Sequence, residues 1–462
     1  MSNKYPLIAA AVAVAVASGY ADAAVPTLAQ AAAPTVQLVI AGSSAAQSAV
    51  STAIGTDLCG GAANMLSVQS KGGSGNFLAF SCFTAVAVAG TPGIPANTLT
   101  TIYYRTEGGS VVGALPIASH TNIQRLNLAD TTNCTQSGSA VTCTVSGTTS
   151  TSGTTDSWTG AVTRDTVQLG VTDVEPALLI GNDFPSNYSP AAFGTATPAQ
   201  LAALGTAKLF QQAFGLVVNT SGGVLPAQIN LTKASAANIE LGNYTDWSSV
   251  PDAQTGNPIV PVTSPVGITL VDREPGSGTR TATNVYLFNA HCGGTQSIPS
   301  SRGGNFSTGD ELTSANATPG AIAYASIDQI KNPANGTKWT NLALANLGGG
   351  GSASGFTAFA PSNLLAATGQ YDFWYEATLV LNSAVNTNTT AGNLITFLKN
   401  DLPQLLTAPG VPDINVIPGL GSPTKNVAHV PLTTNGKTGT ATIYVNPYTR
   451  GLSSCNVPVE TN

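Results

Sequence analysis

The chain has 462 residues, a formal net charge of −6 and only 8% charged residues. This length suits one large two-lobed protein or about two or three ordinary domains. No basic stripe is available to neutralise phosphodiesters, so the composition excludes an obvious nucleic-acid binder. The hydrophobic share of 42% indicates a folded body and not a disordered chain.

The first 23 residues have the pattern of a secretory signal peptide. Lys4 gives a positive start, residues 6–18 form an apolar run, and small residues occupy 21–23. The run is shorter than the roughly 20 apolar residues that span a bilayer, and no cysteine lies near the cleavage position to carry a lipid. We therefore expect cleavage of residues 1–23, a mature chain starting near Ala24, no membrane anchor, and a periplasmic or extracellular protein.

The mature chain opens with a pattern that suits an anion seat. An apolar run at 36–40 predicts a strand, Gly42-Ser43-Ser44 predicts a turn, and residues 45–53 are compatible with a helix. Free N–H groups point out of a helix N-terminus, so a strand, a Gly-Ser turn and a helix start together favour a bound anion.

Residues 55–165 differ in character from the rest of the chain. They contain β-type runs at 99–104 and 139–145 and a Ser/Thr/Gly tract at 147–160. They also hold four of the six cysteines. We interpret the stretch as a β-rich, loop-rich insertion pinned by disulfides.

An even number of cysteines fits an oxidising compartment, although six cysteines allow many pairings. Locality favours Cys134 with Cys143 and then Cys59 with Cys82, which leaves Cys292 with Cys455. A metal site is the alternative, but no C-x-x-C spacing occurs and the chain has only three histidines. Structural disulfides are the favoured interpretation, with no metal and no cofactor.

From residue 167 onward, strand patterns alternate with helical patterns, which indicates βαβ units and a largely parallel sheet. The most informative segment lies between a predicted strand at 266–271 and a predicted helix at 281–288. Glycines there let a backbone approach an anion, hydroxyls donate, and an arginine adds a charge-assisted contact. The alternative is an ordinary N-capped turn with a surface arginine. The anion-binding candidates in this segment are Arg273, Ser277, Gly278 and Thr279.

Several segments, in the same order along the chain, resemble the periplasmic phosphate-binding proteins of ABC transporters, a branch of the type 2 periplasmic-binding-protein superfamily. The matching segments are 41–44 (AGSS), 169–176 (LGVTDVEP), 213–219 (AFGLVVN), 231–247 (LTK to NYTDW), 273–279 (REPGSGT) and 318–324 (TPGAIAY). The resemblance covers residues 35–54 and about 167–385.

The resemblance implies an α/β fold of two lobes, each a mixed, mostly parallel sheet flanked by helices, with the β-rich insertion in lobe one. Lobe one would combine residues 24–216, including the insertion at about 55–165, with residues 369–462. Lobe two would be residues 217–368. The segment 213–219 is similar to the family's strand that crosses between lobes. A Cys292–Cys455 disulfide would then join the two lobes and restrict the opening of the hinge.

The resemblance also implies a phosphate site. Asp173 is its chemically telling member, because a carboxylate repels an anion unless the anion carries a proton to donate. Hydrogen phosphate does so and sulfate does not, so Asp173 would select phosphate. The alternative for Asp173 is a helix cap. The residues implied around the anion are Ser43, Ser44, Ser74, Asp173, Arg273, Ser277, Gly278 and Thr279.

The predicted function is therefore a secreted substrate-binding protein that captures inorganic phosphate or a similar oxyanion for ABC-type uptake, with a transporter permease as partner. We expect no catalytic residues, because no G-x-S-x-G elbow occurs and the histidines lie outside the Ser-rich motifs. The alternative is an extracellular scaffold, adhesin or filament protein that reuses the fold and meets a surface partner or its own copies through the insertion.

Overall fold

The structure is a computed structural model. The residues it describes are 24–71, 76–148, 152–331, 336–346, 357–362, 365–366, 370–385, 389–401, 430–433, 442–445 and 448–460. The predicted signal peptide and Ser74 lie outside these residues, so both stay predictions. None of the helices in the described ranges is long and apolar enough to cross a membrane.

The helices in the described ranges are short. They are α1 (Leu28–Ala31), α2 (Gln47–Ala53), α3 (Ser110–Ser119), α4 (Pro190–Phe193), α5 (Pro198–Ala202), α6 (Lys233–Glu240), α7 (Gly278–Phe288), α8 (Thr308–Ala317), α9 (Ile327–Lys331) and α10 (Thr390–Asp401). A π-helical turn, Ile54–Leu58, continues α2.

The strands in the first part of the chain are β1 (Val36–Gly42), β2 (Leu66–Lys71), β3 (Phe77–Phe83), β4 (Leu99–Arg105), β5 (Asn122–Leu126), β6 (Cys134–Ser137), β7 (Ala140–Ser146), β8 (Thr159–Gly160), β9 (Val162–Thr166), β10 (Leu169–Thr172) and β11 (Gly205–Asn219). Those that follow are β12 (Asn230–Thr232), β13 (Thr269–Leu270), β14 (Ala321–Ser326), β15 (Trp339–Asn341), β16 (Ala343–Asn346), β17 (Thr357–Phe359), β18 (Trp374–Leu381), β19 (Val430–Thr433), β20 (Thr442–Val445), β21 (Tyr448–Thr449) and β22 (Val459–Glu460).

One large sheet organises the molecule. Its strand order is β13-β14-β11-β18-β10-β1-β4-β3-β2-β7-β6, with β15 beside β11 and β8 beside β7. The central strand β1 is parallel to both of its neighbours, β10 and β4. Parallel pairing recurs between β13 and β14 and between β2 and β7, and the other pairs described in this sheet are antiparallel. The predicted α/β architecture with a mixed sheet is confirmed.

The long strand β11 links two halves of this sheet. Its residues 205–213 pair with β18, and its residues 214–218 pair with β14. We call the part with β10, β1, β4, α2 and α3 the first half, and the part with β13, β14, α7, α8 and α9 the second half. The segment 213–219, predicted from the resemblance to cross between lobes, thus lies in the strand that passes from one half to the other.

The structure divides the predicted insertion at 55–165 into two excursions. Strand β4 lies inside that range, yet it pairs with β1 at the centre of the sheet, and α3 packs against β10 and β1. Gly113 of α3 permits this close approach, because a Cβ there would lie 2.7 Å from the Ala41 carbonyl oxygen. The excursions are residues 54–98, which add β2 and β3, and residues 127–161, which add β6, β7 and β8.

All three favoured disulfide pairings are confirmed. Cys59–Cys82 joins the turn after α2 to β3, and Cys134–Cys143 joins β6 to β7. Cys292–Cys455 joins the segment after α7 to the C-terminal segment.

The core around β1 follows from the alternation of apolar side chains. On one face of β1, Leu38 and Ile40 are buried in the same cluster as Val50 of α2 and Leu394 of α10. Full burial of such a side chain contributes about 1.5–3 kcal/mol. This packing fixes α2 over the sheet and so fixes the loop between β1 and α2.

Candidate anion-binding site

The first loop of the site begins where β1 ends. The Ser43 N–H donates to the Val171 carbonyl of β10 at 2.8 Å. This contact requires glycine at the preceding position, since Gly42 has φ +130° and a Cβ there would lie 1.9 Å from the Val171 oxygen. The Ser43 hydroxyl accepts from the Ala46 N–H at 3.0 Å, and Ser43 and Ser44 are both buried.

Asp173 follows β10 and is 2% exposed. The Ser43 hydroxyl donates to one oxygen of its carboxyl group, and the Thr279 hydroxyl donates to the other at 3.2 Å. Burial raises the pKa of the Asp173 carboxyl above its usual value, while the hydrogen bond from Ser43 and the charge of Arg273 oppose this rise. Asp173 is therefore a buried acceptor and not a surface helix cap.

The loop before α7 brings the second half of the sheet to Asp173. Ser277 caps the helix, and its hydroxyl accepts from the Arg280 N–H at 3.3 Å. Gly278 leaves no room for a side chain, since a Cβ would lie 2.2 Å from the Ser110 hydroxyl oxygen and 2.8 Å from Asp173. The Arg280 guanidinium is buried and donates to four carbonyl groups, which fixes the loop.

Arg273 is 1% exposed, which excludes the interpretation of a surface arginine. Its guanidinium donates to the Thr308 hydroxyl at 2.7 Å and to the Phe306 carbonyl at 3.2 Å. Thr308 begins α8, and its N–H donates to the Ser44 hydroxyl at 3.2 Å. Thr308 therefore connects the first loop to the predicted arginine.

Sequence reasoning missed two members of this cluster, Ser110 and Thr308. Ser110 begins α3, and its hydroxyl accepts from the Asp173 N–H at 3.0 Å. The preceding Gly109 has φ +72°, and a Cβ there would lie 3.5 Å from an Arg273 guanidinium nitrogen. The signal was available, since Gly108-Gly109-Ser110 separates a strand from an apolar helix as Gly42-Ser43-Ser44 does. Ser74, another residue that the resemblance implies around the anion, lies outside the described residues.

The cluster combines hydroxyl donors, one cation and one carboxylate in a buried space. Ser43, Ser110 and Thr279 surround Asp173, while Ser44 and Thr308 lie toward Arg273. Buried polar groups of this kind interact strongly because water does not screen them. The arrangement can hold a small oxyanion that accepts several hydrogen bonds and donates one.

Among the described residues, no group of three or more His, Cys, Asp and Glu side chains is placed to hold a metal ion. His291 is engaged by a buried carboxylate, with its Nε2 2.8 Å from Asp183. Asp183 also accepts from the Asn284 side chain at 2.8 Å. These contacts fasten the end of α7 to the segment after β10 and give His291 a structural role.

Comparison with known proteins finds a family-model match over part of the chain. Residues 204–400 match the family model described as a PBP superfamily domain, which confirms the predicted resemblance for that stretch. A search of curated proteins finds no match.

Three solved structures are similar to the chain at low identity. A Clostridium perfringens protein described as a phosphate ABC transporter substrate-binding protein, solved with bound phosphate, has 12% identity and a TM-score of 0.40 over 80% of this chain and 97% of its own. A Vibrio cholerae ABC-type phosphate transport receptor has 16% identity and a TM-score of 0.30, over 51% and 74% of the two chains. A Stenotrophomonas maltophilia phosphate-binding protein has 14% identity and a TM-score of 0.32, over 52% and 70%.

Proposed function

We propose that the protein is a substrate-binding protein that captures inorganic phosphate, or a similar oxyanion, in the cluster around Asp173 and Arg273. The observation that carries this proposal is a buried carboxylate, Asp173, and a buried guanidinium, Arg273, in one cluster of hydroxyl groups from both halves of the sheet. The anion-binding set is Ser43, Ser44, Asp173, Arg273, Ser277, Gly278 and Thr279, to which we add Ser110 and Thr308. Ser74 stays a candidate from the sequence alone.

The charges of the cluster favour a protonated oxyanion. Arg273 and the hydroxyl groups donate to anion oxygens, whereas Asp173 can only accept when it is ionised. Hydrogen phosphate supplies the proton that Asp173 needs, and sulfate does not. A sulfate ion would bring a second negative charge beside the buried carboxylate without donating a proton to it, so Asp173 penalises that ligand.

The match to a PBP superfamily domain supports binding as the activity, and we assign no catalytic residue. We further propose that the protein acts outside the cytoplasm after cleavage of residues 1–23 and delivers phosphate to an ABC transporter permease. The three disulfides support this location, because disulfides persist in oxidising compartments.

Calorimetric titration of the mature protein with phosphate, arsenate and sulfate tests the ligand. We expect phosphate and arsenate to bind and sulfate to bind far more weakly. Asp173→Asn removes a hydrogen bond to a charged group worth about 1.5–3 kcal/mol, so it should weaken phosphate binding about tenfold or more. It should also reduce the ratio of phosphate affinity to sulfate affinity.

Asp165→Asn is the matched control, since Asp165 pairs with Arg125 on β5 and has no contact with the cluster. It should leave phosphate affinity unchanged. Equal phosphate affinity in the wild type and in Asp173→Asn would overturn the role of Asp173. Failure of the wild type to bind any of the three anions would overturn the proposed ligand and favour the scaffold alternative.

A further inference from the structure

The C-terminal segment folds back over β18, which pairs with the long strand β11. Strands β21 and β22 pair with each other and bring residues 449–456 against β18. We call residues 449–456 the C-terminal strap. Its contacts were not expected from the sequence, apart from the disulfide at Cys455.

Glu376 of β18 holds the start of the strap. One of its carboxylate oxygens accepts from the Thr449 hydroxyl at 2.6 Å and from the Arg450 N–H at 3.1 Å. The other accepts from the Leu452 N–H at 2.7 Å. Lys208 of β11 lies 2.7 Å from the same carboxylate. The strap is therefore bound to β18 through Glu376 and to β11 through Lys208, which donates to the Thr449 hydroxyl at 3.3 Å.

Arg450 adds a second set of contacts to β18. Its guanidinium donates to the carbonyl groups of Trp374 and Asp372 at 3.0 and 2.9 Å. It also lies 5.0 Å from the ring centre of Trp374 and 4.6 Å from that of Tyr375. Cation–π contacts are stronger when they are desolvated. Arg450 is 7% exposed, so water competes little for these contacts.

Glu175 connects the strap to the turn that carries Asp173, two residues earlier. The Ser454 N–H donates to one Glu175 oxygen at 2.8 Å, and the Ser454 hydroxyl donates to the other at 2.5 Å. These are charge-assisted hydrogen bonds on a largely buried carboxylate, and such bonds are about twice as strong as neutral ones. A movement of the Asp173 turn is thereby coupled to the strap.

Cys455, the next residue, forms the disulfide with Cys292. Cys292 lies just beyond α7, and its N–H donates to the carbonyl of the helix-ending Asn289 at 3.1 Å. The first turn of the same helix carries Ser277, Gly278 and Thr279. The strap therefore holds the Asp173 turn by hydrogen bonds and α7 by a covalent bond.

We propose that the C-terminal strap restrains separation of the Asp173 turn from α7, so that the bound anion leaves the site slowly. This inference rests on the proposed function. Opening of the two halves must either break the Ser454–Glu175 hydrogen bonds or pull the strap from Glu376, because the disulfide fixes the other end. The strap thus favours retention of the anion over rapid exchange.

The test is the rate at which labelled phosphate leaves the mature protein, measured by rapid mixing with an excess of unlabelled phosphate. In the double variant Cys292→Ser/Cys455→Ser, we expect dissociation at least about tenfold faster, since affinity changes among related complexes lie mostly in the dissociation rate. Cys134→Ser/Cys143→Ser removes a disulfide that lies within the second excursion, and it should leave the rate unchanged.

Two further measurements keep the outcome decisive. Glu175→Gln retains the disulfide and weakens the Ser454 contacts, so it should also accelerate dissociation of phosphate. It supplies the test if Cys292→Ser/Cys455→Ser fails to fold. Amide hydrogen exchange of residues 169–176 and 278–288 in the unliganded proteins should be faster in both strap variants. Unchanged dissociation and unchanged exchange would overturn the strap proposal. Absence of phosphate binding in the wild type would overturn the proposed function alone, because hydrogen exchange still tests the strap.

Discussion

Gly278 lies where the first turn of α7 passes beside Ser110 and Asp173. A Cβ at this position would meet the Ser110 hydroxyl at 2.2 Å, closer than any real Cβ contact. Its other neighbour is the carboxylate that would accept the ligand's proton. The glycine therefore sets the distance between the helix from the second half and the acceptor from the first.

The variant Gly278→Ala should lose anion binding more than stability. Overpacking a buried site costs about 1–3 kcal/mol, and here the displaced groups are the proposed ligand contacts. We expect phosphate affinity to fall at least about tenfold by calorimetry. Gly267→Ala is the control, since a Cβ there meets no atom within 4 Å. An affinity unaffected by Gly278→Ala would contradict the tight fit.

At the scale of single residues, the sequence predicted the members of the site that lie in dense motifs. Arg273, Ser277, Gly278 and Thr279 fall within seven consecutive positions. The structure places Gly278 and Thr279 against Asp173. Thr308 was missed because its contact with Ser44 joins positions 264 residues apart. Ser110 was missed because it belongs to a short motif whose meaning depends on which strand precedes it. Pairing of β4 with β1 supplies that information, and it is a long-range property.

At the scale of elements, a buried charge cluster joins β4 to the second excursion. Arg105, the last residue of β4, lies 2.7 Å from Glu107 and 2.5 Å from Asp156, and all three side chains are at most 1% exposed. Burial raises the pKa of Glu107, and the charge of Arg105 opposes this rise. The cluster holds the excursion close to the Gly109–Ser110 turn.

Loss of the cation should destabilise this junction strongly. Arg105→Met leaves Glu107 without its counter-charge and leaves Asp156 with Arg164 alone, and breaking a buried ion pair costs about 3–5 kcal/mol. The control is Arg164→Gln at the half-exposed edge of the same cluster, where a surface pair contributes about 0–1 kcal/mol. Urea unfolding at neutral pH measures both values. Similar losses in the free energy of unfolding for the two variants would show that the buried ion pairs of Arg105 contribute no more than the half-exposed pair of Arg164.

The sequence largely predicted the strands and helices themselves, but it did not predict which strands pair with each other. The run at 99–104 was predicted as β-type and forms β4, yet it was assigned to an insertion and not to the sheet centre. Apolar alternation identifies a strand without naming its neighbour. Both excursions are β-rich like the central sheet, so composition alone could not separate them from it.

At the scale of the whole molecule, a second buried carboxylate lies between the halves. Asp328 of α9 accepts from the Ser326 hydroxyl at 2.7 Å and from the Gln329 side chain at 3.2 Å. The Gln329 amide also donates to Ser48 of α2, in the first half, at 3.3 Å. Burial raises the pKa of Asp328 to about 6.

This carboxyl group predicts a pH dependence of stability. Because its pKa is raised in the folded state, it favours folding below its unfolded pKa near 4, and this advantage is lost as pH rises through about 6. The free energy of unfolding of the wild type relative to Asp328→Asn should therefore fall by about 3 kcal/mol between roughly pH 4 and pH 7. Urea titrations of both proteins across this range measure the difference. A difference that stays constant, or rises with pH, would refute the assignment.

The global arrangement could be predicted where a single sequence segment or the spacing of residues along the chain determined it. The segment 213–219 indicated the crossing strand, and proximity along the chain favoured two disulfides and left the third by elimination. The contacts of the C-terminal strap with Glu376 and Glu175 could not be predicted, since they join positions 74 to 279 residues apart through single polar side chains.

The Cys292–Cys455 bond also changes the molecule's connectivity. It closes a covalent ring across a sequence separation of 163, and this ring includes α8, β14, β18 and α10. A single peptide-bond cleavage anywhere inside the ring leaves the polypeptide in one piece until a reductant is added. The C-terminal strap would then stay attached to the segment after α7, because Cys455 within it is bonded to Cys292.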